Sequence, residues 1–358
     1  MWTWTWTCGS VSDYKWEAYS LSLPGTGDFK IPSGAEHILR TLTAAGYEAY
    51  LVGGCVRDLL RGVKPHDWDI CTSARPEETE RCFAGERIIE TGLKYGTITL
   101  LKDGKPYEVT TYRAEGPYSD SRRPDYIRFV PNLEDDLVRR DFTVNAIALG
   151  LDGGLRDPFG GEADIRAGRL RCVGKPSQRF REDGLRIMRA LRFAASFGWE
   201  LEEKTARAIH DNRAVLEKVA AERINVELRK LLVGESAGDI LREYPDVLCQ
   251  FWPELSPLVN APRGGWERTI RAVDAVPAEL EPRLAAIFRA ADPEEADRAL
   301  LALRFAKKVS AALVEEAVSS LAQAKAMHDD LEAIYNPHVD FELVDEFAAD
   351  IWEEILTF

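Results

Sequence analysis

The predicted fold rests on two stretches of the sequence, Ala49-Tyr-Leu-Val-Gly-Gly-Cys-Val-Arg-Asp58 and His66-Asp-Trp-Asp-Ile70. The first four residues of the first stretch predict a short strand, the glycine pair predicts a tight turn, and Val56 to Leu60 predicts a helix. The residues from Trp68 to Cys71 predict a second strand. This succession indicates helices arranged around one sheet.

The flanking sequence extends this pattern in both directions. Residues 33–45 repeat apolar side chains with a helical period. Residues 96–101 and 107–112 alternate with period two around Asp103-Gly104, a dipeptide typical of a hairpin turn. After residue 178 only helical patterns follow. The predicted fold class is therefore α+β, with a mixed-sheet domain followed by all-helical domains.

Composition narrows the class of protein. The chain has 358 residues, of which 45% are hydrophobic and 30% charged, as in ordinary globular proteins. No stretch approaches the ~18 apolar residues of a membrane span. Six scattered cysteines without a CxxC pair predict reduced thiols and a cytoplasmic location. Residues 1–30 lack the pattern of a secretory signal, and we expect a disordered or mis-annotated N-terminal extension there.

Charge is distributed unevenly along the chain. The net charge is −14, yet residues 113–192 carry a net +3 and residues 193–358 carry −14. Residues 171–192 contain seven positively charged residues and two negatively charged ones. A nucleic-acid partner would therefore be bound locally, near the middle of the chain.

Asp67 and Asp69 form the first candidate site. On a strand, residues two apart send their carboxylates from the same face, about 6–7 Å apart. Such a pair can hold a divalent cation through hard oxygen ligands, which suits Mg²⁺. A solvated strand end has the same pattern, so the pair alone is weak evidence.

Gly53, Gly54 and Arg57 form the second candidate site. A glycine pair between a strand and a helix lets backbone N–H groups approach an anion, and the arginine adds a cation suited to phosphate. The stretch matches neither a Walker A loop nor a dinucleotide fingerprint. An ordinary turn is the alternative interpretation.

Glu108 lies in the alternating segment 107–112. If that strand pairs beside the strand of Asp67, Glu108 adds a third carboxylate, as a metal ligand or as the base for an attacking hydroxyl. An exposed strand glutamate is equally consistent with the pattern.

A series of motifs follows these residues in order. It consists of Gly53-Gly-Cys-Val-Arg-Asp58, Asp67-Trp-Asp-Ile70, Arg139-Arg-Asp-Phe-Thr-Val-Asn-Ala146, Asp157-Pro-Phe-Gly-Gly161 and Arg179-Phe-Arg-Glu-Asp-Gly-Leu-Arg-Ile-Met-Arg-Ala-Leu-Arg-Phe193. This series resembles the class II tRNA nucleotidyltransferases, the CCA-adding enzymes, and their close relatives the bacterial poly(A) polymerases. The resemblance covers about residues 31–235.

The resemblance implies a role for each matching position. Asp67 and Asp69 would be metal ligands and catalytic residues, with Glu108 as a third catalytic carboxylate. Residues that contact the nucleotide would be Gly53, Gly54, Arg57, Arg140, Asp183, Arg186, Arg189 and Arg192. The implied domains are a nucleotidyltransferase head at 31–170, a helical neck that binds nucleobase and RNA at 171–235, and a tRNA-binding helical body with a short tail at 236–358.

Asp183 and Arg186 have a physical logic of their own. They are predicted to lie three residues apart on one helix, and Arg189 and Arg192 continue the spacing on the same face. A carboxylate accepts from the exocyclic amine of cytosine or adenine, and a guanidinium donates to the ring nitrogen beside it. Uracil and guanine would set an oxygen against the carboxylate, at a cost of about 1–3 kcal/mol. The alternative is an ordinary charged helix face.

The resemblance implies template-independent addition of CCA to tRNA 3′ ends from CTP and ATP with Mg²⁺, releasing pyrophosphate. The expected partners are tRNA and the two nucleotides, with no membrane and no obligate protein partner. Three alternatives stay open: addition of A alone to tRNA ending in CC, poly(A) synthesis, and a catalytically silent RNA-binding protein. The intact carboxylate pair argues against the silent protein.

Overall fold

The computed structural model of the chain describes residues 19–23, 27–119, 122–261, 264–289 and 291–305. These residues divide into two compact units. The first unit contains the described residues up to 116 together with 126–167, and the second contains 117–125 and the described residues from 168 onward. The division of the helical part into a neck and a body at residue 235 stays a prediction.

The first unit contains eleven described strands and five described α-helices. Its strands are β1 (Tyr19–Leu23), β2 (Gly27–Ile31), β3 (Ala49–Val52), β4 (Asp69–Thr72), β5 (Arg87–Gly92), β6 (Thr97–Lys102), β7 (Lys105–Thr111), β8 (Arg113–Glu115), β9 (Ile127–Phe129), β10 (Ala148–Leu149) and β11 (Leu155–Arg156). Its helices are α1 (Ser33–Ala44), α2 (Gly54–Leu60), α3 (Pro76–Cys82), α4 (Leu133–Leu137) and α5 (Gly161–Arg166).

The core of this unit is one seven-stranded sheet. Its strand order is β11-β10-β3-β4-β7-β6-β5. All neighbouring pairs are antiparallel except β4 and β7, which run parallel. The parallel pair sets Asp69 directly opposite Glu108. This mixed sheet confirms the predicted fold class, and Asp103 and Gly104 form the predicted turn with φ of 52° and 73°.

Apolar periodicity predicted the first helix well. Ile38, Leu39 and Leu42 of α1 are buried, and α1 packs against β3, β4 and β7. The first residue of β4 is Asp69, so Asp67 lies in the bend that precedes the strand. The expectation that both carboxylates leave one face of one strand is therefore wrong for Asp67.

The segment expected to be a disordered or mis-annotated extension contains regular structure. Tyr19–Leu23 pairs with Gly27–Ile31 as an antiparallel hairpin, with Tyr19 opposite Ile31. This hairpin begins before residue 31, the expected start of the fold, and its second strand ends there. Residues 1–18 lie outside the described part of the chain.

The second unit is built almost entirely of helices. They are α6 (Pro176–Glu182), α7 (Leu185–Phe197), α8 (Glu203–Asn212), α9 (Ala221–Leu232), α10 (Ala237–Glu243), α11 (Pro245–Leu248), α12 (Ser256–Val259), α13 (Gly265–Ala275), α14 (Leu280–Phe288) and α15 (Pro293–Ala302). One short parallel pair, β12 (Arg169–Leu170) and β13 (Glu200–Leu201), interrupts the predicted helical run. Trp252 is fully buried and packs edge-on against Phe288.

Among the described residues, no helix is both long enough and apolar enough to cross a membrane.

Candidate active site

A turn at Gly53 forms the centre of the candidate site in the first unit. Gly53 follows β3 with φ of 80° and ψ of −134°, and its carbonyl oxygen accepts from the backbone N–H of Arg57 in α2. A side chain here would be unfavourable because L-residues rarely adopt this φ. A Cβ added to Gly53 would lie 3.2 Å from Nη1 of Arg140 and 3.8 Å from Oδ2 of Asp69. The turn therefore brings together Gly53 and Asp69, which belonged to two separate candidate sites, and Arg140, which the resemblance implied as a nucleotide contact.

Arg57 is held in a buried hydrogen-bond network. Its Nη1 donates to Oδ1 of Asn145 at 2.8 Å, and its Nε donates to Oδ1 of Asp58 at 3.0 Å. The amide of Asn145 donates in turn to Asp141 at 3.0 Å. The Arg57 guanidinium lies 3.6 Å from the position a Cβ on Gly54 would take. The network thus fixes a cation beside the glycine pair.

Two carboxylates meet on adjacent strands. Asp69 and Glu108 are register partners on β4 and β7. Burial and then the negative charge of Glu108 raise the pKa of Asp69 to about 6, while Arg140 lowers it and Asp67 raises it further. Like charges so placed are stabilised by a cation between them. The pairing that Glu108 needed for a role in the site is confirmed.

Asp67 does not complete a set of metal ligands with Asp69 and Glu108. Its side chain is 87% exposed, and its Oδ1 lies 3.2 Å from Nδ1 of His66. The described residues contain no group of three or more His, Cys, Asp or Glu side chains arranged to hold a metal ion. Asp69 and Glu108 are therefore assembled in this conformation, and Asp67 lies at the edge of the site.

A buried aspartate that the sequence analysis missed holds the arginine pair. Asp136 is fully buried and accepts from Nε and Nη2 of Arg139 at 3.0 and 2.8 Å. Its other oxygen accepts from Nη2 of Arg140 at 3.2 Å. Burial alone would raise the pKa of Asp136, but Arg139 and Arg140 outweigh it and hold the pKa below its usual value. Asp136 thus fixes Arg140 beside the glycine turn.

The predicted base-reading residues lie in the second unit, and their geometry differs from the prediction. Asp183 has extended backbone angles and lies between α6 and α7, because its Oδ1 accepts from the backbone N–H of Leu185. The prediction that Asp183 and Arg186 share one helix is therefore wrong. Both oxygens of Asp183 accept from Arg223, at 3.2 and 2.8 Å. Arg186 is buried and donates to Glu182 at 2.8 Å.

Arg189 and Arg192 share a different partner. Both lie on α7 and form ion pairs with the buried carboxylate of Glu227 on α9. The Arg192 guanidinium also stacks 3.8 Å from the ring centre of Phe193. These two arginines therefore tie α7 to α9. The sequence analysis predicted neither Glu227 as their partner nor Arg223 as the partner of Asp183.

Comparisons with known proteins agree with this geometry. Residues 49–171 match the family described as the poly A polymerase head domain. Residues 198–246 match a family described as the probable RNA and SrmB-binding site of polymerase A. Two relatives named CCA-adding enzyme come from Lactiplantibacillus plantarum, 51% identical over 201 residues, and Latilactobacillus sakei, 48% identical over 220 residues. These alignments cover 56% and 61% of this chain but only 49% and 55% of the relatives.

Solved structures extend the likeness to both units. A crystal structure of the Bacillus stearothermophilus CCA-adding enzyme in complex with CTP is 36% identical, with a TM-score of 0.64. That alignment covers 82% of this chain and 69% of the other. The Thermotoga maritima CCA-adding enzyme complexed with tRNA is 23% identical with a TM-score of 0.64, which supports the fold alone. The chain spans about half the length of the curated relatives, and it belongs to the family of CCA-adding tRNA nucleotidyltransferases and poly(A) polymerases.

Proposed function

We propose that this chain adds CCA to the 3′ ends of tRNA from CTP and ATP, with release of pyrophosphate. The observation that carries the proposal is the meeting of Gly53, Arg140 and Asp69 at the end of β3, with Glu108 opposite Asp69. An open backbone turn, a fixed guanidinium and paired carboxylates are the groups that nucleotidyl transfer from a triphosphate requires. Family membership supports the same reaction.

The carboxylates fit a divalent metal, which we propose to be Mg²⁺. Asp69 and Glu108 offer hard oxygen donors, and the pKa of Asp69 stays raised although Arg140 lowers it, which supports a further cation beside the pair. Asp67 would complete the ligand set by turning from His66 toward Asp69. Bound there, Mg²⁺ would supply Lewis-acid polarisation and charge neutralisation at the reacting phosphate.

The glycine turn and two arginines are proposed to bind the triphosphate. The missing side chains at Gly53 and Gly54 leave room for phosphate oxygens beside the backbone. Arg57 and Arg140 are both anchored by carboxylate or amide oxygens, so their positions are set before substrate arrives. Such preorganised cations stabilise developing negative charge on the leaving pyrophosphate. We propose that Glu108 accepts the proton of the attacking 3′-hydroxyl.

Base selection is proposed to rest on Asp183 and Arg186, with Arg189 and Arg192 as supporting contacts. Arg223 orients the Asp183 carboxylate by donating to both of its oxygens. Each carboxylate oxygen has two lone pairs, so the carboxylate can still accept from an exocyclic amine. Arg186 would donate to the ring nitrogen of cytosine or adenine. Uracil and guanine would be excluded because each sets an oxygen against the Asp183 carboxylate.

Partners and location follow from the same proposal. The substrates would be tRNA, CTP and ATP. The five cysteines in the described part of the chain are all free, which supports the expected cytoplasmic location.

Extension of three tRNA transcripts tests the proposed function. The purified protein is incubated with Mg²⁺, CTP and ATP, and with tRNA that lacks CCA, ends in C or ends in CC. We expect three, two and one added nucleotides. A single A on the CC-ending tRNA alone would indicate an A-adding enzyme, a long A ladder would indicate a poly(A) polymerase, and no extension would favour a silent RNA-binding protein.

Two variants connect the reaction to the site. Asp69→Asn removes the charge opposite Glu108 and should abolish extension. Asp152→Asn makes the same chemical change at an exposed turn residue and should leave extension intact. Equal activity of the two variants would contradict the assignment of Asp69.

A further inference from the structure

A buried polar pair of the first unit has no part in the proposed reaction. Thr143 is 1% exposed and Asp164 is 3% exposed, and Oγ1 of the threonine donates to Oδ2 of the aspartate at 2.7 Å. Burying a carboxylate is costly, whereas two apolar side chains of similar shape can often replace a buried polar pair at little cost. The fold therefore keeps a polar contact that packing of the core alone does not require.

The position of Thr143 indicates what this contact can do. Thr143 begins a three-residue 3₁₀ helix that ends at Asn145. Oδ1 of Asn145 accepts from Nη1 of Arg57 at 2.8 Å, and both of these residues are buried. Hydrogen bonds within a 3₁₀ helix have poorer geometry than those of an α-helix, so contacts from outside help to fix its position. Asp164 supplies such a contact two residues before the side chain that holds Arg57.

Helix α5 holds the 3₁₀ helix at a second point. A Cβ added to Gly161 would collide with the carbonyl oxygen of Thr143, so the two backbones touch there. Gly161 and Asp164 are three residues apart on α5 and therefore lie on one face of it. The carboxylate of Asp157 accepts from two backbone N–H groups at the start of α5, at 2.7 and 2.9 Å. Thr143 is thus fixed both through its backbone and through its hydroxyl.

We propose that Asp164 is a positioning residue for nucleotide binding, which acts through the 3₁₀ helix on Arg57. Asp164 fixes the first residue of this helix, the helix places the Asn145 amide, and the amide orients the Arg57 guanidinium. A guanidinium held in a preset orientation loses little further side-chain freedom when it binds phosphate oxygens. The proposal rests on the proposed function for the role of Arg57 in triphosphate binding.

The first test removes the Thr143 hydroxyl and keeps the shape of the side chain. Thr143→Val deletes the donor to Asp164, and Thr143→Ser retains a hydroxyl. Thr111→Val is the matched control, because Thr111 is 2% exposed and its Oγ1 also donates at 2.7 Å, to the carbonyl oxygen of Ala74. The Kd for CTP is measured by isothermal titration calorimetry with Mg²⁺ and without tRNA, and the melting temperature of each variant is measured in parallel.

We expect Thr143→Val to raise the Kd for CTP about tenfold, and the KM for CTP in the addition assay should rise with it. Thr111→Val and Thr143→Ser should stay within about threefold of the parent in Kd. Both valine variants should melt lower than the parent, because each loses a buried hydrogen bond, so a loss of stability does not distinguish them. Equal Kd values for the two valine variants, or no recovery in Thr143→Ser, would overturn the proposal.

A double-variant comparison tests whether the effect passes through Arg57. Arg57→Gln removes the guanidinium and should by itself weaken CTP binding about tenfold or more. In that background, Thr143→Val should weaken CTP binding by less than about twofold, because the group that it positions is gone. A tenfold loss in both backgrounds would show that the two residues act independently and would overturn the proposal.

Asp164→Asn provides a second route if Thr143→Val does not fold. It keeps the shape of the side chain but removes the charge that strengthens the hydrogen bond, and it should raise the Kd for CTP about threefold. Asp152→Asn makes the same chemical change at an exposed residue and should leave the Kd unchanged. Equal Kd values for these two variants would overturn the proposal.

The Kd for CTP also separates this proposal from the proposed function. A parent protein that binds no CTP would overturn both. A parent that binds CTP but adds no nucleotide would contradict the proposed function alone, and the comparison of Kd values would still decide the role of Asp164.

Discussion

Replacement of Asp136 by Asn is the most informative single perturbation of the first unit. The carboxylate is fully buried and accepts from the guanidinium groups of Arg139 and Arg140 and from the backbone N–H of Arg113. Asn keeps the shape and one acceptor oxygen, but it removes the charge and sets an N–H₂ group against a guanidinium. Both the stability of the unit and the orientation of Arg140 should therefore change.

The magnitudes follow from these contacts. Removing one partner of a buried ion pair costs about 3–5 kcal/mol. We expect about 3 kcal/mol for Asn, because one acceptor survives, and a fall in Tm of roughly 6–12 °C. A hydrogen bond to a charged group contributes about 1.5–3 kcal/mol, so freeing Arg140 should lower kcat/KM for CTP about ten- to a hundredfold.

The assay separates positioning from folding. CTP addition is measured well below the melting temperature, with the folded fraction checked by circular dichroism. Asp135→Asn is the matched control, since Asp135 is the exposed neighbour of Asp136 on the same helix. Asp136→Glu restores the charge and should recover part of the activity. If Asp136→Asn melts lower but its folded fraction transfers CTP as fast as Asp135→Asn does, the positioning role is refuted.

Three further predictions use other features of the two units. Gly53→Ala and Gly46→Ala each place a side chain at a positive φ, and each should lower the free energy of unfolding in urea by about 1–2 kcal/mol. Only Gly53→Ala also crowds Arg140, so only this variant should lose nucleotide transfer. Arg186→Ala should raise UTP incorporation relative to CTP about tenfold or more in single-nucleotide assays, and unchanged selectivity would contradict base reading by this residue. The folded pKa of Asp136 is depressed, so its stabilisation is present above the unfolded value near 3.8 and is lost as pH falls through the lower folded pKa. The stability difference between the parent and Asp136→Asn should thus be constant from about pH 7 to 5 and shrink only below about pH 4.

Sequence reasoning was most accurate where the structure is local. The helix predicted over residues 33–45 is observed at Ser33–Ala44, and the strand predicted at 49–52 has the same bounds in the structure. Apolar period and a glycine stop depend only on near neighbours, so they can be read from the chain directly. The pairing of β4 with β7 was only a conditional prediction, because strands distant in sequence pair through contacts that no local pattern records.

The errors at Asp67 and Asp183 have one physical cause. Each aspartate lies just outside a regular element, where its side chain has other partners: His66 for Asp67, and the backbone N–H of Leu185 for Asp183. The Asp183-Gly184 pair before an apolar run was a readable sign of a helix start, since aspartate side chains compete with the helix for backbone N–H groups. The ion pairs of Asp136 could also have been predicted from the sequence. Asp136 lies three residues before Arg139 and four before Arg140, and this spacing brings charged side chains together on a helix.

The two units use arginine in different ways, and this difference has a measurable consequence. In the first unit, Arg57 and Arg140 are fixed by Asn145 and Asp136, so in the proposed role they would offer a nucleotide a preset geometry more than a net charge. In the second unit, Arg271 has no carboxylate partner among the described residues and offers charge at an exposed surface. Binding through released counterions depends steeply on salt, whereas buried, preoriented contacts are screened less. Between about 50 and 200 mM salt, the KM for CTP should therefore change far less than the Kd for tRNA. A KM that rises in parallel with the Kd would show that the nucleotide is held by surface charge as well, and would contradict the role given to the buried networks.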